Sequence, residues 1–384
     1  MEYSKIKKIN KYVSESIDPS KTPDTMFEMY SVPIYGTGHP EYLRGDEIGS
    51  NKVVVQKNDI LLCKINPRIN RVWVVADESD YPNIASSEWI VIRSPEYNPS
   101  FLAWYFRSPK FKRLMISEVT GIGGSLMRAQ PKAVAEYPVP VLSVEKQNEI
   151  VGVLDKIYGI IKSRNHQLSA LEDLIKARFV EMFGTFPSNE KGWPTGTIRD
   201  LVTEVRYGSS RKAAEGDSGK YPYLRMNNIT YSGELDLSDT KTIDIPDEEL
   251  DKCTVRRGDL LFNRTNSKEL VGKTCVYNRD ELMVLAGFVV RVRLNEKALP
   301  EFVSAFMNTT FSKQMLLGMC KAAIGQANIN AQELQNIGIY IPPIELQREF
   351  VSFKEQIDKS KSVIQKSLDE TQLLFDSLMQ KYFG

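Results

Sequence analysis

The stretch NDILLCKINP, Asn58 to Pro67, returns 200 positions later as GDLLFNRTNS, Gly258 to Ser267, and the offset recurs along the chain. SSEWIVIR, ending at Arg93, matches AGFVVRVR, ending at Arg293, and FKRLM (Phe111 to Met115) matches FSKQM (Phe311 to Met315). Near Gly123 the offset becomes 202: Ile122-Gly123 pairs with Ile324-Gly325, Ala129-Gln130 with Ala331-Gln332, and Pro140 with Pro342. It returns to 200 where VEKQNEIV (Val144 to Val151) meets IELQREFV (Ile344 to Val351), and it holds at Phe183-Gly184 against Phe383-Gly384. Matches in this order make the sequence two copies of one unit, so any fold proposed for one copy must suit the other.

Each copy has two parts. The first is mixed, with short strands such as WIVIR and VVRVR between turn residues, and a compact helix opened by Pro99 or Pro300. The second reads as one long helix. Stepping four then three from Ile150 gives Leu154, Ile157, Ile161, Arg164, Leu168, Leu171, Ile175, Arg178 and Met182. The same register in the second copy gives Phe350, Lys354, Ile357, Lys361, Ile364, Leu368, Thr371, Phe375, Leu378 and Tyr382. A sustained 4-3 alternation is a coiled-coil seam, and some 34 residues make a rod of roughly 50 Å. GTFPSNEKGWPTG, Gly184 to Gly196, reads as the linker between copies. The predicted class is α+β: two mixed α/β domains joined by two long helices in an antiparallel coiled coil, with a pseudo-two-fold internal repeat. The expected divisions are residues 1–142 and 185–342 for the domains, and 143–184 and 343–384 for the helices.

Several function classes are disfavoured. No run of about 18 apolar residues exists, which argues against a membrane span, and the charged start MEYSKIKKINKYV does not resemble a signal peptide. Four scattered cysteines without a CxxC pair fit a reducing cytoplasm, and His39 and His166 are too few for a His-based metal or catalytic centre. The repeat also tests catalytic motifs. NPSF at Asn98 approaches the base-holding loop of amino-methyltransferases, but its counterpart LPEF at Leu299 keeps only the helix start. GIGGS, Gly121 to Ser125, suggests a phosphate-cradling loop, yet its counterpart AIGQANIN is polar and not glycine-rich. No catalytic constellation stands out.

What differs between copies is the polar loop ends: CKINPRINR against NRTNSKELVGK, and GGSLMR against GQANIN. One framework with two polar loop sets suits two recognition tasks, and Arg, Lys, Asn and Gln are the side chains that pair with base edges. The net charge of +1 points the other way, because a nucleic-acid binder acting alone usually carries a basic excess.

With GDLLFNRTNSKELVGKT (Gly258 to Thr274), YPYLRMNNIT (Tyr221 to Thr230), YGSSRKA (Tyr207 to Ala213) and IGQANINAQELQNIGIYIPPIELQREF (Ile324 to Phe350), the chain resembles a specificity (S) subunit of a type I restriction-modification system over nearly its whole length. The first copy departs at GGSLMR, and at Pro140-Val141 where the second has Pro342-Pro343. The resemblance implies two target recognition domains, each reading one half of a bipartite site in double-stranded DNA, with spacer helices setting the distance. It implies a non-catalytic chain binding no cofactor. Two methyltransferase (M) subunits would carry S-adenosylmethionine, and two restriction (R) subunits, where present, would use ATP and Mg. In the second domain it places DNA contacts at Tyr207, Ser209, Arg211, Lys212, Arg225, Asn227, Asn228, Arg264, Asn266, Ser267, Gln326 and Asn328. In the first, by weaker alignment, it places them at Lys64, Asn66, Arg68, Arg71 and Arg128. A methylation-only or combined cleavage system, a methyltransferase fused to its recognition domains, and a coiled-coil protein scaffold stay open as alternatives.

Overall fold

The computed structural model describes residues 2–117, 119–120, 127–216, 218–320 and 326–384. The GIGGS stretch and Ile324-Gly325 lie outside them. Two compact units emerge, Met1–Asn165 with Lys366–Gly384, and His166–Gln365. The long helices Val144–Phe183 and Ile344–Phe383 are each 40 residues and contribute to both units.

In the first unit, Ile60–Cys63 lies between Val72–Val74 and Trp89–Ile92 in a three-stranded antiparallel sheet. A five-stranded sheet runs Ser16–Ile17, Lys52–Val54, Asn83–Ser86, Met26–Tyr30, Glu41–Arg44, and its Met26–Tyr30 and Asn83–Ser86 strands are parallel. The second unit builds the same plan. Leu260–Asn263 lies between Val289–Leu294 and Thr274–Val276, and Val202–Tyr207 adds a fourth strand. Its other sheet runs Lys241–Ile243, Tyr221–Leu224, Met283–Leu285, Thr254–Val255, again with one parallel pair at its centre. The hydrophobic runs ILLC and LLFN are buried along their whole length because each is a central strand covered on both faces.

The turn before each central strand explains the shared Asp. Asn58 and Gly258 both adopt positive φ, 71° and 89°, the third position of a turn closed by Asp59 N–H to Gln56 O and Asp259 N–H to Arg256 O. Each Asp carboxylate then accepts the amide of residue 56 or 256, and each pairs with the arginine that ends the neighbouring strand. Arg93 grips Asp59 with two 2.7 Å bonds; Arg293 grips Asp259 at 2.8 and 3.5 Å. The repeat is therefore a repeat of electrostatics as well as of apolar pattern.

The NPSF loop is a helix cap. The Asn98 side chain accepts from the amides of Ser100 and Phe101 at the start of helix Pro99–Arg107, with proline in the first turn. The backbone N–H of Asn98 is in turn held by buried Gln147 of the long helix, and that of Leu299 by buried Gln347, each at 2.8 Å. The segment Gly184–Gly196 is knitted rather than slack. Glu190 accepts from the Thr185 amide and from the Thr185 and Ser188 hydroxyls, which pushes its carboxyl down to about 2, and Phe186 packs on Tyr340.

Within each unit the long helices run antiparallel. In the first, Phe375 meets Tyr158 and Trp104, and Phe383 meets Phe101. In the second, Phe350 packs on Phe179 and Phe183, while Glu172 reaches Lys361 and Glu349 reaches Arg178, so numbers rise on one helix as they fall on the other. Ile150, Leu154, Ile157, Ile161 and Phe350 are buried; Leu168, Leu171, Ile175, Ile357, Ile364, Leu368, Phe375 and Leu378 are partly buried. A fully buried Phe contributes about 1.5–3 kcal/mol by area, so the Phe179, Phe183, Phe302 and Phe350 cluster anchors this end of the helix pair to its domain.

Candidate functional site

The polar tip of the second unit is assembled by three short backbone links. Beyond the central strand, Arg264 N–H donates to Phe288 O and Arg264 O accepts from Ile329 N–H, while Thr265–Asn266 pairs with Ala327–Asn328. The Val202–Tyr207 strand ends beside them, and its neighbour Gly208 cannot be replaced easily, because a Cβ there would meet Ala286 O at 2.3 Å. Close backbone approach thus sets Tyr207, Arg264, Gly287-Phe288 and Asn328 side by side.

Their side chains form one organised surface. The Arg264 guanidinium lies 5.0 Å over the Tyr207 ring, donates Nε–H to Asn328 Oδ1 at 3.2 Å and Nη1–H to Gly287 O at 3.4 Å. The Tyr207 hydroxyl accepts from Ala331 N–H at 3.0 Å, and Asn328 also accepts from Thr265 Oγ1. A stacked, hydrogen-bonded guanidinium loses less side-chain entropy on binding than a free one. Tyr207 is 45% exposed and Phe288, whose carbonyl accepts the Arg264 amide, is 51% exposed. Gln326 is exposed at the edge, and Asn266 bonds Asn263 Oδ1 and Ser267 N–H, closing the loop. Phe288 was not singled out from the sequence; an aromatic in the Gly287-Phe288 turn just before strand Val289–Leu294 is the signal that could have found it.

The remaining second-domain candidates divide. Arg211 forms a two-bond pair with Glu249 that draws the Glu249 carboxyl below its ordinary range, and Arg225 pairs with Asp239. Lys212 and Asn227 are exposed. Ser209 and Asn228 are 5% and 2% exposed. Ser209 binds the 285–287 segment through its backbone and accepts the Arg211 amide, and Asn228 caps its turn through Arg225 N–H, Asp236 O and Asp239 O. Both hold the loop from beneath, because each fills backbone groups that burial would otherwise leave unpaired.

The first unit repeats the junction with other side chains. Lys64 N–H donates to Glu88 O and Ala129 N–H to Lys64 O, the same links 200 residues earlier. Where the second unit has Arg264 and exposed Phe288, the first has Lys64 and Glu88. Glu88 lies 3.8 Å from Lys64 and 3.2 Å from Arg128. Asn66 takes a left-handed conformation at the start of the Pro67–Ile69 turn; Arg68 is exposed, and Arg71 lies beside Cys63. Among the described residues no group of His, Cys, Asp and Glu could hold a metal, and no helix is long and apolar enough to cross a membrane.

Residues 190–371 match the family model described as the type I restriction modification DNA specificity domain. The chain is 22% identical over 295 residues to the EcoKI type I restriction enzyme specificity subunit of Escherichia coli K12, which covers 73% of this chain and 63% of that one. It thus spans less than two thirds of the relative's length. Two solved structures share the fold over the whole chain. One is a chain from a type I restriction-modification complex (TM-score 0.56, 19% identity, 97% of that chain), and the other is the type I S subunit from M. genitalium (TM-score 0.56, 12% identity, 96% of that chain). Residues 190–371 thus resemble the type I restriction modification DNA specificity domain, and the fold of the whole chain is the one these solved structures share.

Proposed function

We propose that this chain is the DNA-reading subunit of a type I restriction-modification complex, with residues 1–142 and 185–342 as target recognition domains for the two halves of a bipartite site. The observation that carries this reading is one backbone junction holding two different tips, Arg264 with Tyr207, Phe288 and Asn328 in one unit and Lys64 with Glu88 and Arg128 in the other. Arginine pairs bidentately with guanine, asparagine and glutamine with adenine, and a glutamate accepts from cytosine, so the two tips favour different base edges. The helix pair would set the spacing and dock two methyltransferase subunits; exposed apolar residues such as Val363 in the second unit and Leu373 in the first suit a partner helix. Methyl transfer from S-adenosylmethionine, and any ATP- and Mg-dependent cleavage by restriction subunits, would fall to those partners. Near-neutral charge fits a division in which partners supply much of the phosphate contact.

The test is binding selection on randomised half-sites with the chain assembled on its methyltransferase partner. Arg264→Ala is expected to lose about 1–3 kcal/mol of discrimination at one position of one half-site and to leave the other half-site unchanged. Uniform weakening on all sequences would make Arg264 a phosphate contact. A chain that retards no DNA with or without that partner would return the reading to a protein scaffold.

A further inference from the structure

The second unit has a solvent-open cavity of about 700 Å³ that the proposed DNA-reading role does not use. It lies between the long-helix segments around Phe179 and Lys361, the helices Pro300–Met307 and Thr310–Met319, and the loops at 231–234 and 268–271. Its size is in the range of small-molecule sites, and its walls are largely apolar, with Ile175, Phe179, Val271, Ala305 and Leu317.

Two polar atoms in this lining are buried without a hydrogen-bond partner among the described residues: Lys313 Nζ and Asn308 Oδ1. Buried polar groups are nearly always satisfied, so a donor and an acceptor left open beside one cavity point to a missing partner. Among the described residues the Lys313 ammonium faces the Tyr231 ring at 4.6 Å, and Lys273 is the cation that acts on it. The other lysines are committed or exposed. Lys176 holds Asp173, Lys354 holds Asp358, and Lys361 lies between Glu172 and Glu234, while Lys268 and Glu269 are exposed on their loop.

We propose that this cavity binds a small amphipathic organic anion, whose acidic head meets the Lys313 ammonium and whose apolar body lies against Ile175, Phe179 and Leu317. A hydrogen-bond donor on the ligand would meet Asn308 Oδ1. Burial, with Lys273 nearby, pushes the Lys313 ammonium down to about 8, the expected cost of holding a cation there without a counter-ion. A bound anion supplies that counter-ion and raises the value again, so anion binding and protonation of Lys313 favour each other.

The probe is 1-anilinonaphthalene-8-sulfonate, titrated into the full chain beside N-phenyl-1-naphthylamine, which has the same rings and no charge. The expected result is one saturable sulfonate site, weakened at least about tenfold by Lys313→Met, which is about 1.4 kcal/mol, with the neutral amine essentially unchanged. In the unmodified chain, sulfonate affinity should fall as pH rises through about 8, where Lys313 loses its proton, and amine affinity should not. Equal sulfonate binding by Lys313→Met and the parent, or the same pH profile for both probes, would overturn the proposal. The pH comparison stands even if the variant fails to fold.

Discussion

Arg93→Ala is expected to destabilise the first unit by about 3 kcal/mol, the lower end of the cost of stranding a buried charge. Asp59 is fully buried, and its carboxylate is held by two 2.7 Å bonds from Arg93 and one from the Gln56 amide. Removing the guanidinium leaves a charge beneath the sheet with a single amide donor. Because Arg93 itself is part-exposed, water can reach the gap, which sets the effect at the lower end. Arg293→Ala should cost less, about 2 kcal/mol, since one of its bonds to Asp259 is already 3.5 Å long and Glu204 keeps Arg291 and Arg206. Tryptophan fluorescence during urea unfolding separates the units, because Trp73, Trp89 and Trp104 lie in the first and Trp193 in the second. Adding Asp59→Asn to Arg93→Ala should recover part of the loss by removing the stranded charge, a non-additivity that a simple packing defect would not produce. A shift below about 0.5 kcal/mol, within the usual range for surface substitutions, would sink the account.

This pair also marks the boundary of what the sequence discloses. Periodic features were readable because they are local or repeated: the 4-3 seam from Ile150 onward follows buried or partly buried positions along both long helices, although Phe179, Phe183, Met379 and Phe383, buried near the helix ends, lie off it, and the 200-residue offset pairs ILLC with LLFN. The alignment even superposed Asp59 on Asp259 and Arg93 on Arg293. That each Asp takes its own Arg depends on strands pairing across 34 residues, which no local pattern encodes. The tip was legible in kind and not in geometry. Arg264 and Asn328 were named from the family resemblance, and their union over Tyr207 comes from Ile329 N–H meeting Arg264 O across 65 positions of chain. Asn228 and Ser209 have the composition of a polar loop, yet both are buried, because the turn at Asp236–Asp239 closes over one and the 285–287 segment over the other. Polar composition cannot distinguish a side chain offered to a ligand from one satisfying its own backbone.

Gln347→Leu is expected to lower the stability of the second unit by about 3 kcal/mol, from the desolvation cost of buried groups left unpaired. Gln347 is fully buried at the start of its long helix and joins three separate points: it accepts from Leu299 N–H and donates to the carbonyls of Lys297 and Pro342. Leucine fills nearly the same volume, so packing is kept and only these bonds are lost. Gln147 is the matched control, accepting from Asn98 N–H and donating to Leu142 O. With one fewer partner to strand, Gln147→Leu should cost about 2 kcal/mol. Leu299 is the residue before helix Pro300–Met307, so the lost bond frees the helix start as well as the long helix. Amide exchange at Leu299 should therefore accelerate more than exchange along Leu260–Asn263, where the central strand keeps its ladder. Equal acceleration at both places would mean a global loss of stability and would remove Gln347 as the joint between helix and domain. A selective change at Leu299 would show that the domain's hold on the helix can be loosened without disturbing the strand that leads to Arg264. The glutamine two residues after Glu145 and Glu345, present in the two copies as EKQ and ELQ, would then be the joint that ties each long helix to the start of its domain's compact helix.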